Sequence, residues 1–573
     1  MSIVVDVLLI LIPFFIGIIL LIFFKFKADM VGTIIFVIIL IVSIFYFNTD
    51  WKISFIVSLA GIIKSFPISL MVLTSILMMT YMQKTGALAK LVVSFKKIGG
   101  GNQAFQIMII NLALGTFLVS IGATPVTMLP PVLAAMGYSA FSSVALPAIG
   151  YDPLCTYALL AVPASFFADF MGISLVESGR AFSYYMPLVT LGIAMGMLWL
   201  AGGKKLLFSK DALLFGVVGG LTAGCSAVLV NMVGLLPLDF FRNIATALVP
   251  LTGVIAGLIT GIVLVGIALL KKIKIVDHSV LTEEEKEIDK SMPLAKALSP
   301  WLFLIVFVIL TNLIPPVYQF LHTSVPLTIN LGEITINTAI FSHAYFWVLI
   351  ATLCSIPILG RGKDTLNVWL KRSIRPVYAA AIFFAIAYII IYSGTRYSTI
   401  IMDGSIISSI WYKVSNNNMI NILAIASADV FGNMYPLIVP FIGLFAGFIS
   451  GSETSAIAMF TNYHAETATA LGISALAVGT ANGVGGGLAS VLSPAKIQNA
   501  AAVIDQVGIE GEVIRKTAPI ALLMTLSVAA ICLCWANNYI WWKWIIVFSV
   551  FCLIVAAISL FIYIRNGKKV DIY

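Results

Sequence analysis

The sequence predicts an all-α polytopic membrane protein, with about 13 transmembrane helices and two re-entrant hairpins in two inverted repeats. Of the 573 residues, 61% are hydrophobic and only 10% are charged, whereas about a quarter of the residues in a soluble globular domain are charged. The mean hydropathy is +1.08. The apolar runs are continuous rather than alternating, which excludes a transmembrane β-barrel. This composition also excludes a soluble domain and a disordered chain.

Each predicted span is an apolar run long enough to cross the hydrocarbon core, which takes about 20 helical residues. The predicted spans are residues 3–24, 30–48, 66–83, 138–163, 182–202, 212–236, 243–270, 299–318, 341–360, 376–394, 471–494, 516–536 and 540–564. Two further apolar stretches, 104–136 and 434–464, have a polar break near the middle, and we predict them as re-entrant hairpins. A non-helical backbone is tolerated at membrane depth only where it faces protein or a water-filled cavity.

The basic residues support this topology. Lys and Arg are enriched in cytoplasmic loops, and every basic cluster falls on one side when neither hairpin is counted as a crossing. We therefore expect a multi-pass protein of the cell inner membrane, with the N-terminus outside and the C-terminus cytoplasmic. The net charge of +9 follows from the same bias, so no nucleic-acid partner is expected. The six cysteines show no paired metal-ligand spacing, and neither a metal nor a cofactor is predicted.

The two halves of the chain share a pattern. Each has an amphipathic segment (51–65 or 361–375), a span, a hairpin with a polar tip and an interrupted span. The hairpins enter from opposite sides, so the repeats are inverted, as in many secondary transporters. Chance similarity of helices rich in small residues is the alternative. The predicted divisions are scaffold spans (1–49), repeat 1 with hairpin 104–136 and broken helix 138–163 (50–202), scaffold spans (203–270), a solvated charged cytoplasmic linker (271–298), scaffold spans (299–360), repeat 2 with hairpin 434–464 and broken helix 471–494 (361–536), and a C-terminal span and tail (537–573).

The tip of the first hairpin is a candidate binding site for a carboxylate. Pro125 suits the first turn of a helix, and the free N–H groups at a helix start attract anions. Thr124 and Thr127 would add hydroxyl donors. The alternative is that these residues only pack helices together.

The tip of the second hairpin carries an acid at predicted membrane depth. Glu453 lies among hydroxyl residues, of which Ser452 and Thr454 are predicted to bind substrate. A low-dielectric environment favours the neutral form of a carboxyl group, so we predict that Glu453 exchanges the coupled proton. Alternatively, Glu453 lies at a wet mouth and caps a helix.

The two interrupted spans provide further candidates. Asp152 is the acid of the first break, at 147–153, and is a second candidate for proton coupling. Asn482 and Gly485 lie in the glycine-rich second break, at 482–487, where a backbone without side chains can approach a ligand closely. Ser493 precedes a helix restart, and Lys496 is the one strong cation near this break. The residues of the second break and restart are all predicted to bind substrate, although Lys496 could instead be an interfacial anchor.

Several motifs resemble the L-lactate permease family. They are Gly-Ala-Thr-Pro at 122–125, the run 131–138, Gly-Ser-Glu-Thr-Ser at 451–455, Asn462 and Leu-Ser-Pro at 492–494. The resemblance covers most of the chain. It implies a proton-coupled importer of lactate and related 2-hydroxy monocarboxylates such as glycolate, in which a hairpin-containing transport domain moves against a scaffold.

Other function classes remain as alternatives. The chain could carry a different small organic anion, couple to Na⁺, or form a passive anion channel, although a channel should show a polar stripe on several spans. An enzyme is not expected, because the sequence has no nucleophile paired with a base and no catalytic residue is predicted. The expected partners are the organic anion, H⁺ and the lipid bilayer. The sequence does not give the oligomeric state, and a homodimer is one candidate.

Overall fold

A computed structural model describes residues 3–538, apart from residues 23, 25, 27, 99–101, 123, 124, 238, 278, 280, 322–326, 339, 342, 403, 404 and 507. The predicted span 540–564 and Thr124 therefore lie outside the described residues. Within the described ranges the protein is helical apart from loops and two small β-hairpins. This confirms the all-α membrane fold.

The elements of the first half are α1 (Ile3–Ile22), α2 (Ala28–Phe45), α3 (Trp51–Lys64), α4 (Phe66–Lys84), α5 (Ala87–Lys96), α6 (Gln103–Ile107), a π-helical segment (Met108–Leu114), α7 (Gly115–Ser120), α8 (Pro125–Ala135), α9 (Ala140–Ile149), a 3₁₀ turn (Cys155–Tyr157), α10 (Ala158–Met171), α11 (Leu175–Ser183), α12 (Met186–Leu207), α13 (Lys210–Met232) and α14 (Asp239–Leu270). In the first half, α1, α2, α4, α13 and α14 begin and end within a few residues of predicted spans.

The second half contains both β-hairpins. Its elements are α15 (Glu283–Ser291), α16 (Leu294–Ala297), α17 (Ser299–Leu313), α18 (Pro315–Gln319), β1 (Leu327–Leu331), β2 (Ile334–Thr338), α19 (Ala344–Cys354), α20 (Ile356–Leu359), α21 (Thr365–Ile391), β3 (Thr395–Met402), β4 (Ser405–Lys413), α22 (Met419–Phe431), α23 (Tyr435–Ser450), α24 (Glu453–Leu471), α25 (Ala475–Leu488), α26 (Pro494–Ala502) and α27 (Glu510–Ala536).

Fewer helices are long and continuous than the predicted spans suggest. In the described part of the chain, eight helices are long and apolar enough to cross a membrane, or nine if the pair 155–171 and 175–183, bent by 117°, counts as one span. Several other predicted spans form shorter apolar helices, such as α9 and α17. The difference arises because breaks and kinks divide apolar runs that read as uninterrupted in the sequence.

Both predicted hairpins have a helix–turn–helix form. In the first, α6, the π-helical segment and α7 lead to a turn and then α8. In the second, α23 ends at Gly451, whose φ of +70° lies in the left-handed region that favours glycine, and α24 starts at Glu453. The re-entrant course of both hairpins in the bilayer stays a prediction.

The first interrupted span is broken where the sequence predicts, and the second is not. The first break follows the end of α9 at Ile149. In the second, α25 continues through the glycine run 482–487 to Leu488, and the break is at 489–493. The glycines serve helix packing instead, because a Cβ at Gly485 would overlap the carbonyl oxygen of Pro440 on α23.

The two amphipathic segments take different forms. In the first half, Ser65 separates α3 from α4, whereas α21 runs unbroken through both 361–375 and the predicted span 376–394 from Thr365 onward. The amphipathic segment and the span of the second half therefore form one helix. α3 packs closely along α21, since a Cβ at Gly61 would lie 2.6 Å from the carbonyl oxygen of Phe384.

The elements not expected from the sequence include two β-hairpins and an apolar helix. β1 and β2 form an antiparallel hairpin, as do β3 and β4, the latter with an irregularity at Ile400 and Ile401. The two hairpins meet where Gly332, in the first turn, lies against the ring of Trp411. The apolar helix is α22, which packs beside α24.

The charged linker is docked rather than solvated. Lys90 and Lys97 on or beside α5 bind Asp289 of α15, at 2.7 and 2.8 Å. Lys96 binds Glu285 at 2.7 Å. Lys90 and Lys96 are buried, so these pairs are better shielded from solvent than ordinary surface ion pairs.

The contact of α10 and α11 with α25 is aromatic on one side and glycine-rich on the other. Phe167 of α10 and Phe182 of α11 are fully buried with ring centroids 5.1 Å apart. They lie against Gly479 and Gly483 of α25. Close packing of large rings on small residues thus holds α10 and α11 against α25.

Candidate substrate and proton site

The break after α9 meets the break after α25 and the tip of the second hairpin. The hydroxyl of Thr156, just after the first break, donates to Glu453 Oε1 at 2.6 Å. Lys496 Nζ lies 3.9 Å from the ring centroid of Tyr151. The two interrupted regions therefore form one cluster of polar side chains.

Glu453 lies inside this cluster and not at a water-filled mouth. Its side chain is only 4% exposed. It is the first residue of α24, where a negative charge is favoured by the helix dipole, and Ser452 caps the same helix by accepting from the Ser455 N–H. While Oε1 is held by Thr156, Oε2 is buried and has no hydrogen-bond partner.

Asp152 is the second buried acid. It is 4% exposed, and its Oδ1 also has no hydrogen-bond partner. It lies within electrostatic reach of both Glu453 and Lys496. The other titratable groups facing the cluster are the Cys155 thiol and the Tyr151 hydroxyl.

Lys496 turns toward the two acids from the first turn of α26. Its ammonium donates to the Ser490 hydroxyl at 2.7 Å and lies over the Tyr151 ring. Among the described residues, neither carboxylate is within ion-pair distance of Nζ. This inward orientation disagrees with the interfacial-anchor interpretation.

The predicted hydroxyl residues are placed as follows. Ser493 is buried at the start of α26, where its hydroxyl does not cap the helix, and it lies close to Gly451 of the hairpin tip. Thr454 is buried beside Glu453. Thr127 lies on α8, which packs against α9 and α26.

The described contacts of Asn482 and Gly485 are with residues other than the charged side chains of the cluster. The Asn482 oxygen is 3.1 Å from His464 Nε2, and its amide nitrogen donates to the Ala456 carbonyl at 3.2 Å. His464 Nδ1 in turn is 2.6 Å from the Tyr435 hydroxyl. Asn482 is thus part of a buried chain that joins α23, α24 and α25, and Gly485 packs on Pro440 as described above.

The sequence profile of the L-lactate permease family matches residues 6–538. The chain belongs to this family. The L-lactate permease of Escherichia coli K12 is 29% identical over 209 residues, which are 35% of this chain and 33% of the relative. The glycolate permease GlcA of the same strain is 29% identical over 190 residues, or 32% and 30% of the two chains. The matched part therefore spans about a third of the length of these relatives.

Two solved transporter structures resemble the chain weakly. The YdaH transporter of Alcanivorax borkumensis aligns with a TM-score of 0.37 and 12% identity, covering 84% of this chain and 87% of that one. MtrF of Neisseria gonorrhoeae, described as an antimetabolite efflux pump, aligns with a TM-score of 0.41 and 12% identity, covering 89% and 95%.

In this member of the L-lactate permease family, sequence reasoning missed several residues of the cluster. Thr156, Ser490 and Tyr151 contact the charged groups, and Gly487 lies directly beside Glu453. Tyr151 falls inside the predicted first break, and this position was a usable signal. Ser490 could not be identified, because the second break was placed too early. No group of three or more His, Cys, Asp or Glu side chains suited to a metal occurs in the described ranges.

Proposed function

We propose that this permease imports a short 2-hydroxy monocarboxylate, lactate or glycolate, together with protons, as a secondary active transporter of the cell inner membrane. Family membership supports a permease, and two relatives are named lactate and glycolate permeases. The observation that carries the proposal is the inward-facing Lys496, which is flanked by two buried acids and paired with neither.

The charges of the cluster favour uptake of an anion with a proton. With both carboxyl groups ionised, two negative charges face one positive charge. A bound substrate carboxylate would add a second uncompensated negative charge, and burying such a charge is costly. Protonation of Glu453 or Asp152 offsets this charge, so substrate and proton bind together more favourably than the anion alone.

The substrate carboxylate binds at Lys496 and Ser493 in this proposal. The start of α26 carries roughly half a positive charge, which adds to the ammonium charge. The tip residues Ser452 and Thr454 lie on the opposite side of the same anion. Thr124 and Thr127 complete the site from the first hairpin, as the sequence predicts.

Transport then requires alternating exposure of this cluster to the two sides of the membrane. The hairpins and broken helices form the moving domain, and α1, α2, α13 and α14 belong to the scaffold. The N-terminus lies outside in this arrangement. Inverted repeats provide two arrangements of similar energy, which is what alternating access needs.

Purified protein in proteoliposomes tests the proposal. Uptake of labelled lactate should follow an inward proton gradient, and preloaded lactate should drive counterflow. Glu453→Gln should abolish accumulation driven by the proton gradient yet retain some counterflow, since exchange needs no net proton movement. The matched control is Glu466→Gln, an exposed acid on the same helix, which should behave as the unmodified protein does.

Three outcomes contradict parts of the proposal. Full gradient-driven uptake by Glu453→Gln removes Glu453 from proton coupling. Accumulation driven by sodium and not by protons changes the coupling ion. Lactate flux that does not saturate with lactate concentration, together with the absence of counterflow, indicates a passive channel.

A further inference from the structure

The cluster has an imbalance of hydrogen-bonding groups that a bare carboxylate does not correct. Its two unpartnered buried atoms, Glu453 Oε2 and Asp152 Oδ1, are both carboxyl oxygens. A substrate carboxylate only accepts hydrogen bonds. It can therefore satisfy Lys496, but it leaves both acid oxygens without a partner.

A hydroxyl group on the substrate corrects this imbalance. A hydroxyl both donates and accepts, so it pairs with a carboxyl oxygen whether that group is ionised or protonated. Buried polar groups in folded proteins are almost always paired. An unpartnered oxygen in the candidate site therefore indicates a polar group on the ligand.

Glu453 is better prepared for this role than Asp152. The Thr156 hydroxyl fixes its other oxygen at 2.6 Å, which orients the carboxyl group in one plane. One side of Oε2 faces Gly487, and a Cβ at that position would lie 2.7 Å from Oε2 and 3.3 Å from the Cβ of Cys155. The absence of a side chain at Gly487 therefore leaves Oε2 uncovered on that side.

We propose that Glu453 recognises the 2-hydroxyl of the substrate through Oε2, while the substrate carboxylate lies on Lys496. This rests on the proposed function and adds the group that distinguishes 2-hydroxy acids from plain monocarboxylates. Asn482, which the sequence predicts to bind substrate, does not fill this role, because both ends of its amide are engaged within the protein. Glu453 can keep this contact and still exchange the coupled proton, because a hydroxyl pairs with a carboxyl group in either protonation state.

Counterflow without a proton gradient measures this recognition. The substrates are lactate, propionate, which lacks the hydroxyl, and 3-hydroxypropionate, in which the hydroxyl is one carbon further from the carboxylate. We expect a half-saturation concentration for lactate about tenfold below those of the other two, which corresponds to one hydrogen bond to a charged group.

Two variants separate the hydroxyl contact from general damage. Gly487→Ala covers Oε2 and should raise the half-saturation concentration for lactate about tenfold, with propionate changed less than about twofold. Glu453→Gln replaces a charged acceptor by a neutral amide and should reduce the lactate preference toward parity. Glu466→Gln is the control and should keep the preference. Size-exclusion chromatography in detergent checks that each variant is folded.

The outcomes distinguish this inference from the proposed function. Counterflow with an unchanged ratio of lactate to propionate in both variants overturns hydroxyl recognition by Glu453 and leaves the transporter proposal intact. An equal loss for both substrates in Gly487→Ala overturns it as well, because that result indicates a general steric effect. Absence of counterflow with every monocarboxylate overturns both.

Discussion

Lys496 brings a positive charge into the candidate site, where its described partners are the Ser490 hydroxyl and the ring of Tyr151. A cation over an aromatic face gains about 0.5–2 kcal/mol, depending on its exposure to solvent. That is less than the several kcal/mol that burying an ammonium group costs. The remaining stabilisation has to come from the flanking acids at longer range and, in the proposed cycle, from the substrate.

Removal of this charge should weaken substrate binding strongly. We expect Lys496→Gln to raise the half-saturation concentration for lactate by about tenfold to a hundredfold, since a hydrogen bond to a charged group contributes about 1.5–3 kcal/mol. Lactate counterflow measures the change. The matched control is Lys516→Gln, because Lys516 is an exposed lysine paired with Glu512 on α27. Equal effects of the two substitutions would show that Lys496 acts only through the overall charge.

The charged residues of the cluster could be predicted from the sequence, but their partners could not. Glu453, Asp152 and Lys496 are conspicuous because ionisable groups are rare and costly within apolar segments. Thr156 and Ser490 are ordinary hydroxyl residues, and only the three-dimensional arrangement brings them to the charges. From the sequence, Asn482 is an equally suitable substrate-binding residue, since nothing in the sequence indicates that His464 engages its side chain.

Among the elements, α23 and α25 pack so closely that their backbones are nearly in contact. A Cβ at Gly443 would overlap the Asn482 carbonyl oxygen, and one at Gly447 would overlap that of Gly486. Small residues allow this approach between membrane helices. The glycines of α23 therefore let the second hairpin pack directly on the backbone of α25.

A methyl group at this interface should destabilise the protein. We expect Gly443→Ala to lower stability by about 1–3 kcal/mol, the usual cost of overpacking, because backbone atoms cannot move aside as a side chain can. Thermal unfolding in detergent measures the shift. Gly266→Ala on α14, where nothing lies within 4 Å of the added Cβ, should leave the midpoint unchanged or slightly raised. A similar midpoint for both variants would contradict the close packing of α23 on α25.

The docking of the charged linker should depend on pH. Hydrogen bonds from Lys90 and Lys97 hold the pKa of Asp289 below its usual range. A carboxyl group with a depressed pKa stabilises the docked form above its ordinary pKa of about 3.9, and this contribution is lost as the pH falls through the lower docked value. α15 should therefore stay docked between pH 7 and pH 5, and detach only in stronger acid.

Fluorescence anisotropy of a dye at Glu287→Cys, an exposed position on α15, reports docking. Asp289→Asn should lower the anisotropy already at pH 7, because the neutral amide no longer pairs with two lysines. Glu284→Gln, at an exposed acid of the same helix, is the control and should not. Detachment of the unmodified linker at pH 5 would contradict the depressed pKa.

Secondary-structure elements could be predicted from the sequence where the local residue pattern strongly favours one structure. The polar tips correctly identified both helix–turn–helix motifs, because a cluster of polar residues inside an apolar run is unfavourable within a lipid-facing helix and favours a turn. The second break was misplaced since a glycine run can serve either a break or close packing. β1 to β4 and α22 were missed because short elements outside or beside the spans lack a long apolar run.

At the scale of the whole molecule, the proposed orientation places the linker and the second β-hairpin on opposite sides of the membrane. An odd number of predicted spans separates the two. Single cysteines at Lys290 and Lys413, both exposed, in a background without the native cysteines, test this arrangement. A membrane-impermeant maleimide should label Lys413→Cys in intact cells, and Lys290→Cys only after permeabilisation. Labelling of both from one side would refute the predicted topology.

The membrane class and the family could be predicted from the sequence more completely than the individual elements. Composition alone requires a membrane protein, and the motifs of both halves identify the family, which the profile match confirms. The division into moving and scaffold parts stays a prediction, because it depends on a second conformation.

The docked linker also bears on how the chain is made. During synthesis, Lys97 emerges 192 residues before its partner Asp289, a delay of roughly 10–40 s at ordinary translation rates. Over that interval Lys90, Lys96 and Lys97 carry unneutralised charge, and in the proposed orientation they help retain their loop in the cytoplasm during insertion. Once the linker has been translated, its acids bind the same three lysines, so a transient signal for membrane insertion becomes a permanent contact between the two halves.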